Sequence, residues 1–224
     1  MLSFGHRGAM GYVPENTLLS VQKAIELGAD WVEIDVYLVN RQLMVIHDDT
    51  LDRTTNGKGS LFDYTFEKLR EFDAGEGERI PILLEIIQAT KDKVGLNIEL
   101  KGEHSAKAVH EVLSDLSDEH KKQVLISSFK MSELQSMSTL DESINIGVLA
   151  GGNMSEAFAW AQKLKASSIH FSKRKVTQAL VNQAHSTGLK LYVYTVNERA
   201  ELRRMKMLGV DGVFSNYPDR ALSV

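Results

Sequence analysis

The chain has 224 residues and a net charge of −4, with 43% hydrophobic and 25% charged residues, values that are ordinary for a soluble globular protein. The weakly acidic balance argues against a nucleic-acid-binding protein, and the absence of cysteine excludes disulfides, thiolate nucleophiles and cysteine-based zinc sites. No signal peptide is visible and no apolar stretch reaches the ~20 residues of a membrane span. We therefore expect a cytoplasmic protein without stable membrane insertion.

Short apolar runs alternate with amphipathic segments along almost the whole chain. The runs predict eight buried strands, at Leu2–Gly5, Trp31–Val36, Gly95–Leu100, Val124–Ser127, Ile144–Leu149, Ser168–Phe171, Lys190–Thr195 and Val210–Phe214. Apolar residues at i, i+3 and i+4 predict helices at Leu18–Leu27, Ser105–Leu116, Glu156–Leu164, Val176–Thr187 and Glu198–Leu208. This alternation predicts a parallel sheet, and 224/8 = 28 residues per strand favours a (β/α)8 (TIM) barrel over an open doubly wound sheet.

One apolar run, just before His47, does not fit the repeat. Too few residues separate it from the second strand for a parallel crossover, so we predict a hairpin of Val36–Leu38 and Leu43–Val45 that turns near Asn40. The stretch that follows lacks a clean period. We predict a single catalytic domain over residues 1–224 with an insertion at about 48–80.

Charged residues stand near the ends of several predicted strands, where the active sites of such barrels gather. Glu33 and Asp35 are two apart on one strand and so share a face, and Glu99 and Lys101 repeat the pattern on the next. Three converging buried carboxylates would repel one another unless a cation neutralised them. Their oxygen ligands favour Mg²⁺, Ca²⁺ or Mn²⁺ over zinc, so we predict one divalent cation.

Two histidines could provide acid and base catalysis next to these carboxylates. His6 follows the first strand and is followed by Arg7, whose guanidinium suits bidentate contact with phosphate, while His47 would oppose His6. Together they could protonate a leaving alkoxide and accept a proton from a nucleophile. The sequence leaves the role of His170, at the end of the sixth predicted strand, undecided.

With these residues in place, the sequence resembles the glycerophosphodiester phosphodiesterase family, in its bacterial cytosolic type, over nearly its whole length. The resemblance is carried by His6-Arg7-Gly8, Glu15-Asn16-Thr17, Val32-Glu33-Ile34-Asp35-Val36, His47-Asp48, Leu51 to Gly57, Asp73-Ala74-Gly75, Ile80-Pro81, Ile98-Glu99-Leu100-Lys101, Thr195-Val196-Asn197, Asp211-Gly212 and Asn216-Tyr217-Pro218. The family fold is the same barrel with a small insertion after the second strand region.

The resemblance implies a role for each candidate residue. It matches Glu33, Asp35 and Glu99 to metal ligands, His6 and His47 to the acid/base pair, and Arg7 and Lys101 to phosphate contacts. Glu15, Tyr194 and Asn197 are further substrate-binding candidates, although Glu15 could instead support the site from behind or be a charge in the first turn of the following helix. The resemblance implies hydrolysis of glycerophosphodiesters, such as glycerophosphocholine or glycerophosphoethanolamine, to sn-glycerol 3-phosphate and an alcohol. The implied route is attack of the glycerol 2-hydroxyl on phosphorus, followed by hydrolysis of a cyclic phosphate.

Several assignments stay open on the sequence alone. Asn16 or Thr17 could cap the following helix, and Arg53-Thr54-Thr55 could either anchor the insertion or bind substrate. Tyr194 stands where family members often carry tryptophan, which leaves the preferred alcohol undefined. A homodimer is compatible with the sequence, which does not fix the oligomeric state.

Three other functions compete with this one. A relative on the same barrel could release a cyclic phosphate from a lysophospholipid, in the manner of a lysophospholipase D, and would need an apolar rim. Metal-assisted proton abstraction is a second alternative, but Arg7, Lys101 and two histidines suit phosphate better. A binding protein without activity is the third, although no expected site residue is missing.

Overall fold

The structure is a computed structural model that describes residues 1–224. Its strands are β1 (Leu2–Gly5), β2 (Trp31–Val39), β3 (Gln42–Val45), β4 (Gly95–Leu100), β5 (Val124–Ser128), β6 (Asn145–Leu149), β7 (Ser168–Ser172), β8 (Lys190–Tyr194) and β9 (Gly212–Ser215). All except β3 run parallel in the order β1-β9-β8-β7-β6-β5-β4-β2, and β1 also pairs with β2. That last pairing closes the predicted eight-stranded barrel.

Most of the helices follow strands and surround the barrel. The helices are α1 (Leu18–Glu26), α2 (Phe66–Leu69), α3 (Leu83–Thr90), α4 (Ser105–Ser114), α5 (Asp118–Lys121), α6 (Met131–Leu140), α7 (Met154–Lys163), α8 (Gln178–Ser186), α9 (Arg199–Leu208) and α10 (Pro218–Leu222). The five predicted helices are present as α1, α4, α7, α8 and α9, while α3 and α6 fill βα units for which the sequence analysis named no helix. No helix combines the length and apolar character that crossing a membrane requires.

The predicted hairpin is confirmed. Strand β2 continues three residues past its predicted end and pairs antiparallel with β3, from Val36 opposite Val45 to Val39 opposite Gln42. The two residues of the turn, Asn40 and Arg41, both have positive φ, as a type I′ hairpin turn requires.

Strand β2 is buried on both faces, with its apolar side chains on one face and its carboxylates on the other. Val32, Ile34 and Val36 are fully buried in the core between barrel and helices, whereas Glu33 and Asp35 point to the barrel interior. A strand buried on both faces is the expected environment of a parallel barrel. The predicted division of β2 into a packing face and a carboxylate face is confirmed.

Aromatic side chains fill the barrel interior. Phe4 packs against Tyr192 and Phe214 with ring centroids 4.8 and 4.6 Å apart. His170, whose role the sequence left undecided, is fully buried beside the last two rings, and its Nε2 lies 2.9 Å from the Ser168 hydroxyl. Burial lowers the pKa of His170 to about 3, so it is a neutral residue of the barrel core at physiological pH.

The segment from Ile46 to Ile82 has a small apolar core of its own. Leu51, Leu61 and Leu69 are almost fully buried there, and most of the segment's aromatic rings pack against them. Phe62 differs because it is 54% exposed and meets only the edge of the Tyr37 ring, 6.1 Å away between centroids. The segment therefore packs as a unit next to the barrel opening reached by β3.

Candidate active site

A cavity of about 220 Å³ lies at the C-terminal ends of the barrel strands. Its lining comes from most strands of the barrel: His6, Arg7, Glu33, His47, Asn97, Glu99, Lys101, Ser127, Phe129, Leu149, Tyr194, Thr195 and Phe214. The fold thus brings together most of the candidate residues. Asp35 is buried just beside the lining, whereas Glu15 and Asn197 lie outside it.

Three carboxylates meet at this cavity. One oxygen from each of Glu33, Asp35 and Glu99 lies within 4.8 Å of the others. Burial, followed by repulsion from Asp35 and Glu99, raises the pKa of Glu33 well above its ordinary value. Burial, followed by repulsion from Asp35, raises the pKa of Glu99 to about 7, although Lys101 Nζ lies only 3.0 Å from Glu99 Oε1.

Asp35 is held in place by groups of opposite charge and by an amide. Arg7 Nε lies 3.3 Å and Lys101 Nζ 3.7 Å from its oxygens, and Asn16 Nδ2 donates to it at 2.9 Å. Asn16 adopts positive φ, and its Oδ1 accepts from the Asp35 backbone N–H. The helix cap is supplied instead by the neighbouring Thr17, so Asn16 is free to orient the carboxylate.

The carboxylate cluster fits a divalent cation. Its donors are all oxygen atoms, the type that Mg²⁺, Ca²⁺ and Mn²⁺ prefer. Without a cation, the raised pKa values of Glu33 and Glu99 show that the folded chain favours protons on these groups. Glu33, Asp35 and Glu99 could therefore hold a metal ion.

His6 is fixed in one tautomer by the loop after β9. Its Nδ1 lies 2.8 Å from Asn216 Oδ1, an acceptor, so Nδ1 carries the proton and Nε2 the lone pair. Asn197 Oδ1 accepts from the Asn216 backbone N–H at 2.9 Å and so supports this contact from behind. Burial, and then the charge of Arg7, lower the pKa of His6 to about 4.

His47 is fixed in the same tautomer by charged partners. Its Nδ1 lies 2.6 Å from Asp48 Oδ1, and its Nε2 lies 3.2 Å from Lys101 Nζ. Because a lysine ammonium only donates, Nε2 must accept and Nδ1–H must donate to Asp48. Both histidines of the predicted pair thus line one cavity with an unprotonated Nε2.

Arg7, in the loop that follows β1, contacts both the carboxylate cluster and Glu15. Its backbone has positive φ, and its N–H donates to Glu33 Oε2 at 2.7 Å. Its Nη1 donates to Glu15 Oε1 at 2.7 Å. Glu15 accordingly acts on Arg7 in this structure and does not face the cavity.

Phe129 and Tyr194 form an apolar wall in the lining of the cavity. Tyr194 meets the edge of the Phe129 ring, with centroids 6.0 Å apart, and its hydroxyl donates to the Ala150 carbonyl at 3.0 Å. Burial raises the pKa of Tyr194 to about 12, so its hydroxyl stays protonated. Phe129 is 46% exposed, so this wall reaches the barrel surface.

Comparison with known proteins shows which family the chain belongs to. The profile of the glycerophosphoryl diester phosphodiesterase family matches residues 6–220. The chain belongs to this family. The glycerophosphodiester phosphodiesterase of Caldanaerobacter subterraneus subsp. tengcongensis is 36% identical over 100% of this chain and 97% of its own length, and that of Bacillus altitudinis is 32% identical over 99% and 96%.

A solved structure matches as well. A phosphodiesterase of Oleispira antarctica, in complex with the product sn-glycerol-3-phosphate, superposes with a TM-score of 0.91 at 31% identity, covering 100% of this chain and 96% of that one. The family resemblance, the barrel and the prediction of a phosphodiester hydrolase are confirmed.

The sequence analysis named several residues of this site in its motifs without giving them the roles that the structure shows. Asn216 fixes His6, Asp48 fixes His47, and Asn16 orients Asp35. Each directly follows a strand end or a motif residue, so position gave a signal. Asn216 and Asn16 meet partners 210 and 19 positions away, whereas Asp48 contacts the adjacent His47. Phe129 gave no signal because its run of neighbours reads as an ordinary strand end.

Proposed function

We propose that this family member hydrolyses glycerophosphodiesters to sn-glycerol 3-phosphate and an alcohol. The observation that carries the proposal is one cavity in which His6 and His47 accompany the carboxylates of Glu33, Asp35 and Glu99. The complex of the Oleispira relative with sn-glycerol-3-phosphate supports this product.

Arg7 and Lys101 are the phosphate contacts in this proposal. Both are cations that line the cavity, and both are held against carboxylates that fix their position before substrate arrives. Such preorganised charges stabilise a transition state without reorganisation at the moment of reaction. A divalent cation held by Glu33, Asp35 and Glu99 would supply further positive charge against the negative charge that develops on the phosphate oxygens.

The two histidines take different roles because their surroundings differ. Burial and then the charge of Arg7 oppose a positive charge on His6, so His6 is neutral and accepts at Nε2 the proton of the attacking glycerol 2-hydroxyl. Asp48 holds the Nδ1–H of His47, so the proton that His47 donates to the departing alkoxide is a second one, carried on Nε2 once Lys101 has turned from Nε2 toward the phosphate. A new phosphorus–oxygen bond forms to the glycerol 2-oxygen as the bond to the alcohol breaks, which gives a cyclic phosphate. The two histidines then exchange roles. His47 accepts a proton from the water that opens the cyclic phosphate, and His6 returns its proton to the glycerol 2-oxygen.

The test is release of sn-glycerol 3-phosphate from glycerophosphocholine and glycerophosphoethanolamine by EDTA-treated protein, with Mg²⁺, Ca²⁺ or Mn²⁺ added back in parallel. Metal-restored release supports both the reaction and the cation. A lysophospholipid is assayed alongside for a cyclic phosphate by ³¹P NMR, because the exposed Phe129 and Phe62 rings could contact a lipid. Turnover of lysophospholipid alone, or no turnover with any ion, would contradict the proposal.

A further inference from the structure

Arg53, in the segment between β3 and α3, bridges two carboxylates that serve different parts of the site. Its Nε donates to Asp48 Oδ2 at 2.6 Å. Its Nη1 and Nη2 donate to the two oxygens of Glu15 at 2.8 and 2.9 Å. One guanidinium therefore joins the partner of His47 to the partner of Arg7.

Both carboxylates continue this network toward the cavity, Asp48 through its other oxygen and Glu15 through the Oε1 that Arg53 Nη2 also contacts. Asp48 Oδ1 accepts from His47 Nδ1 at 2.6 Å, and Glu15 Oε1 accepts from Arg7 Nη1 at 2.7 Å. Negative and positive groups alternate from Asp48 through Arg53 and Glu15 to Arg7, and the His47 imidazole lies at the Asp48 end. Removing the central cation would leave two neighbouring carboxylates facing each other.

Arg53 is not placed to bind substrate. It is absent from the cavity lining, and all three of its guanidinium nitrogens already donate to carboxylates. Its side chain is 47% exposed, yet the Asp48 and Glu15 carboxylates that it holds are only 27% and 10% exposed. Arg53 thus shields the Asp48 and Glu15 carboxylates from solvent, on the side away from His47 and Arg7.

The backbone around Arg53 is fixed by the packing of the same segment. Leu51 is fully buried, and its N–H donates to the Gly59 carbonyl at 2.9 Å. The Thr55 N–H and hydroxyl both donate to the Leu51 carbonyl, at 3.0 and 2.8 Å, which closes a turn around Arg53. The apolar core of the segment therefore sets where the guanidinium lies.

We propose that Arg53 is a positioning residue, which holds Asp48 against His47 and Glu15 against Arg7 and thereby couples the segment after β3 to catalysis. The proposal rests on the proposed function, in which His47 is the acid and Arg7 a phosphate contact. It gives the Arg53-Thr54-Thr55 motif a role that the sequence left between anchoring and substrate binding. Arg53 is also the leading cause that lowers the pKa of Asp48 to about 2, which keeps the partner of His47 ionised.

The experiment compares Arg53→Ala and Arg53→Lys with Lys58→Ala, using steady-state kinetics on glycerophosphocholine. Lys58 lies in the same segment and pairs with Asp52 at 3.6 Å, but contacts nothing in the network, so it is the matched control. We expect kcat to fall about 10–100-fold in both Arg53 variants, the usual effect of losing a group that orients a site residue. Lysine is not expected to restore the rate, since an ammonium cannot contact two carboxylates in the planar fork of arginine.

Two further readouts separate positioning from a general loss of structure. Added guanidinium chloride should restore part of the Arg53→Ala rate at millimolar concentration, whereas sodium chloride at the same ionic strength should not. In ¹H–¹⁵N spectra, the deshielded Nδ1–H of His47, assigned with His47→Asn, should be lost in Arg53→Ala and kept in Lys58→Ala. That signal reports the contact between His47 and Asp48 without any turnover, so the positioning role of Arg53 and the proposed hydrolysis are tested separately.

Several outcomes would overturn the proposal. A raised KM with kcat within twofold of Lys58→Ala would make Arg53 a substrate contact. A fully active Arg53→Lys, or an unchanged His47 signal in Arg53→Ala, would show that Arg53 does not position His47. Unfolding of both Arg53 variants at the assay temperature would make the residue structural.

Discussion

Neutralising one carboxylate of the cluster is expected to stabilise the metal-free protein. In Glu99→Gln the side chain keeps its shape and loses a charge that burial and Asp35 disfavour. The folded protein binds the Glu99 proton more tightly than the unfolded chain does, since its pKa is about 7 against an ordinary 4.5. Wild-type stability contributed by this proton is therefore complete below about pH 4.5 and is lost as pH rises to about 7.

The size of the effect follows from the two pKa values of Glu99. Their difference, about 2.5 pH units, corresponds to about 3 kcal/mol at about 1.36 kcal/mol per unit. Glu99→Gln should thus unfold like wild type near pH 4.5 and be more stable by about 3 kcal/mol at pH 7.5. His6 and His170 change stability in the opposite direction over part of this range because their pKa values are lowered, so only the variant-minus-wild-type difference isolates Glu99.

Urea unfolding in EDTA, followed by circular dichroism from pH 4.5 to 7.5, gives this difference directly. Glu103→Gln is the control, because Glu103 is exposed and lies close in sequence but outside the cluster. Added divalent cation should stabilise the wild type by mass action and stabilise Glu99→Gln far less. A difference that stays flat with pH, or a Glu99→Gln variant less stable than wild type at pH 7.5, would refute the view of three mutually repelling buried carboxylates.

Three shorter predictions follow. His6→Ala and His47→Ala should each lower kcat about 10²–10⁴-fold with melting temperatures close to wild type, and near-normal turnover in either would refute its acid or base role. Leu51→Ala should destabilise the protein by about 2–5 kcal/mol in urea titrations, because Leu51 is fully buried in the core of the segment after β3; a loss below about 1 kcal/mol would mean that this core contributes little. Gly147→Ala should lower the free energy of unfolding by about 1–3 kcal/mol, because a Cβ there would lie 2.5 Å from His170 Nε2 on the next strand. Gly152→Ala, whose Cβ would have nothing within 4 Å, should stay within about 0.5 kcal/mol of wild type. Equal effects in urea titrations would contradict the close approach at Gly147.

Local sequence patterns were enough to identify the strands and most of the large helices, and the family resemblance supplied the reaction class. A strand alternates its faces every residue, so Val32 and Ile34 on one side and Glu33 and Asp35 on the other could be assigned without a structure. The regular succession of strand and helix then favoured a parallel barrel over an open doubly wound sheet, and such barrels place their sites at the strand ends. The hairpin before His47 followed from chain length alone, because a parallel crossover needs more residues.

Side-chain partners were beyond the reach of the sequence because they depend on distances between segments far apart in the chain. Asn216 meets His6 across 210 positions, and Arg53 meets Glu15 across 38. The same limit explains Asn197, which supports Asn216 and does not line the cavity, although its place after β8 suggested a substrate contact.

Residue type and spacing by themselves determined which groups this chain has for chemistry: oxygen ligands, two imidazoles and two cations near the ends of buried strands. The closure of the barrel decided how those groups act, because only closure brings β1, β2, β4 and the segment after β3 around one cavity. Burial there raises the pKa of Glu99 and lowers that of His6, and both shifts depend on neighbours that no local pattern contains.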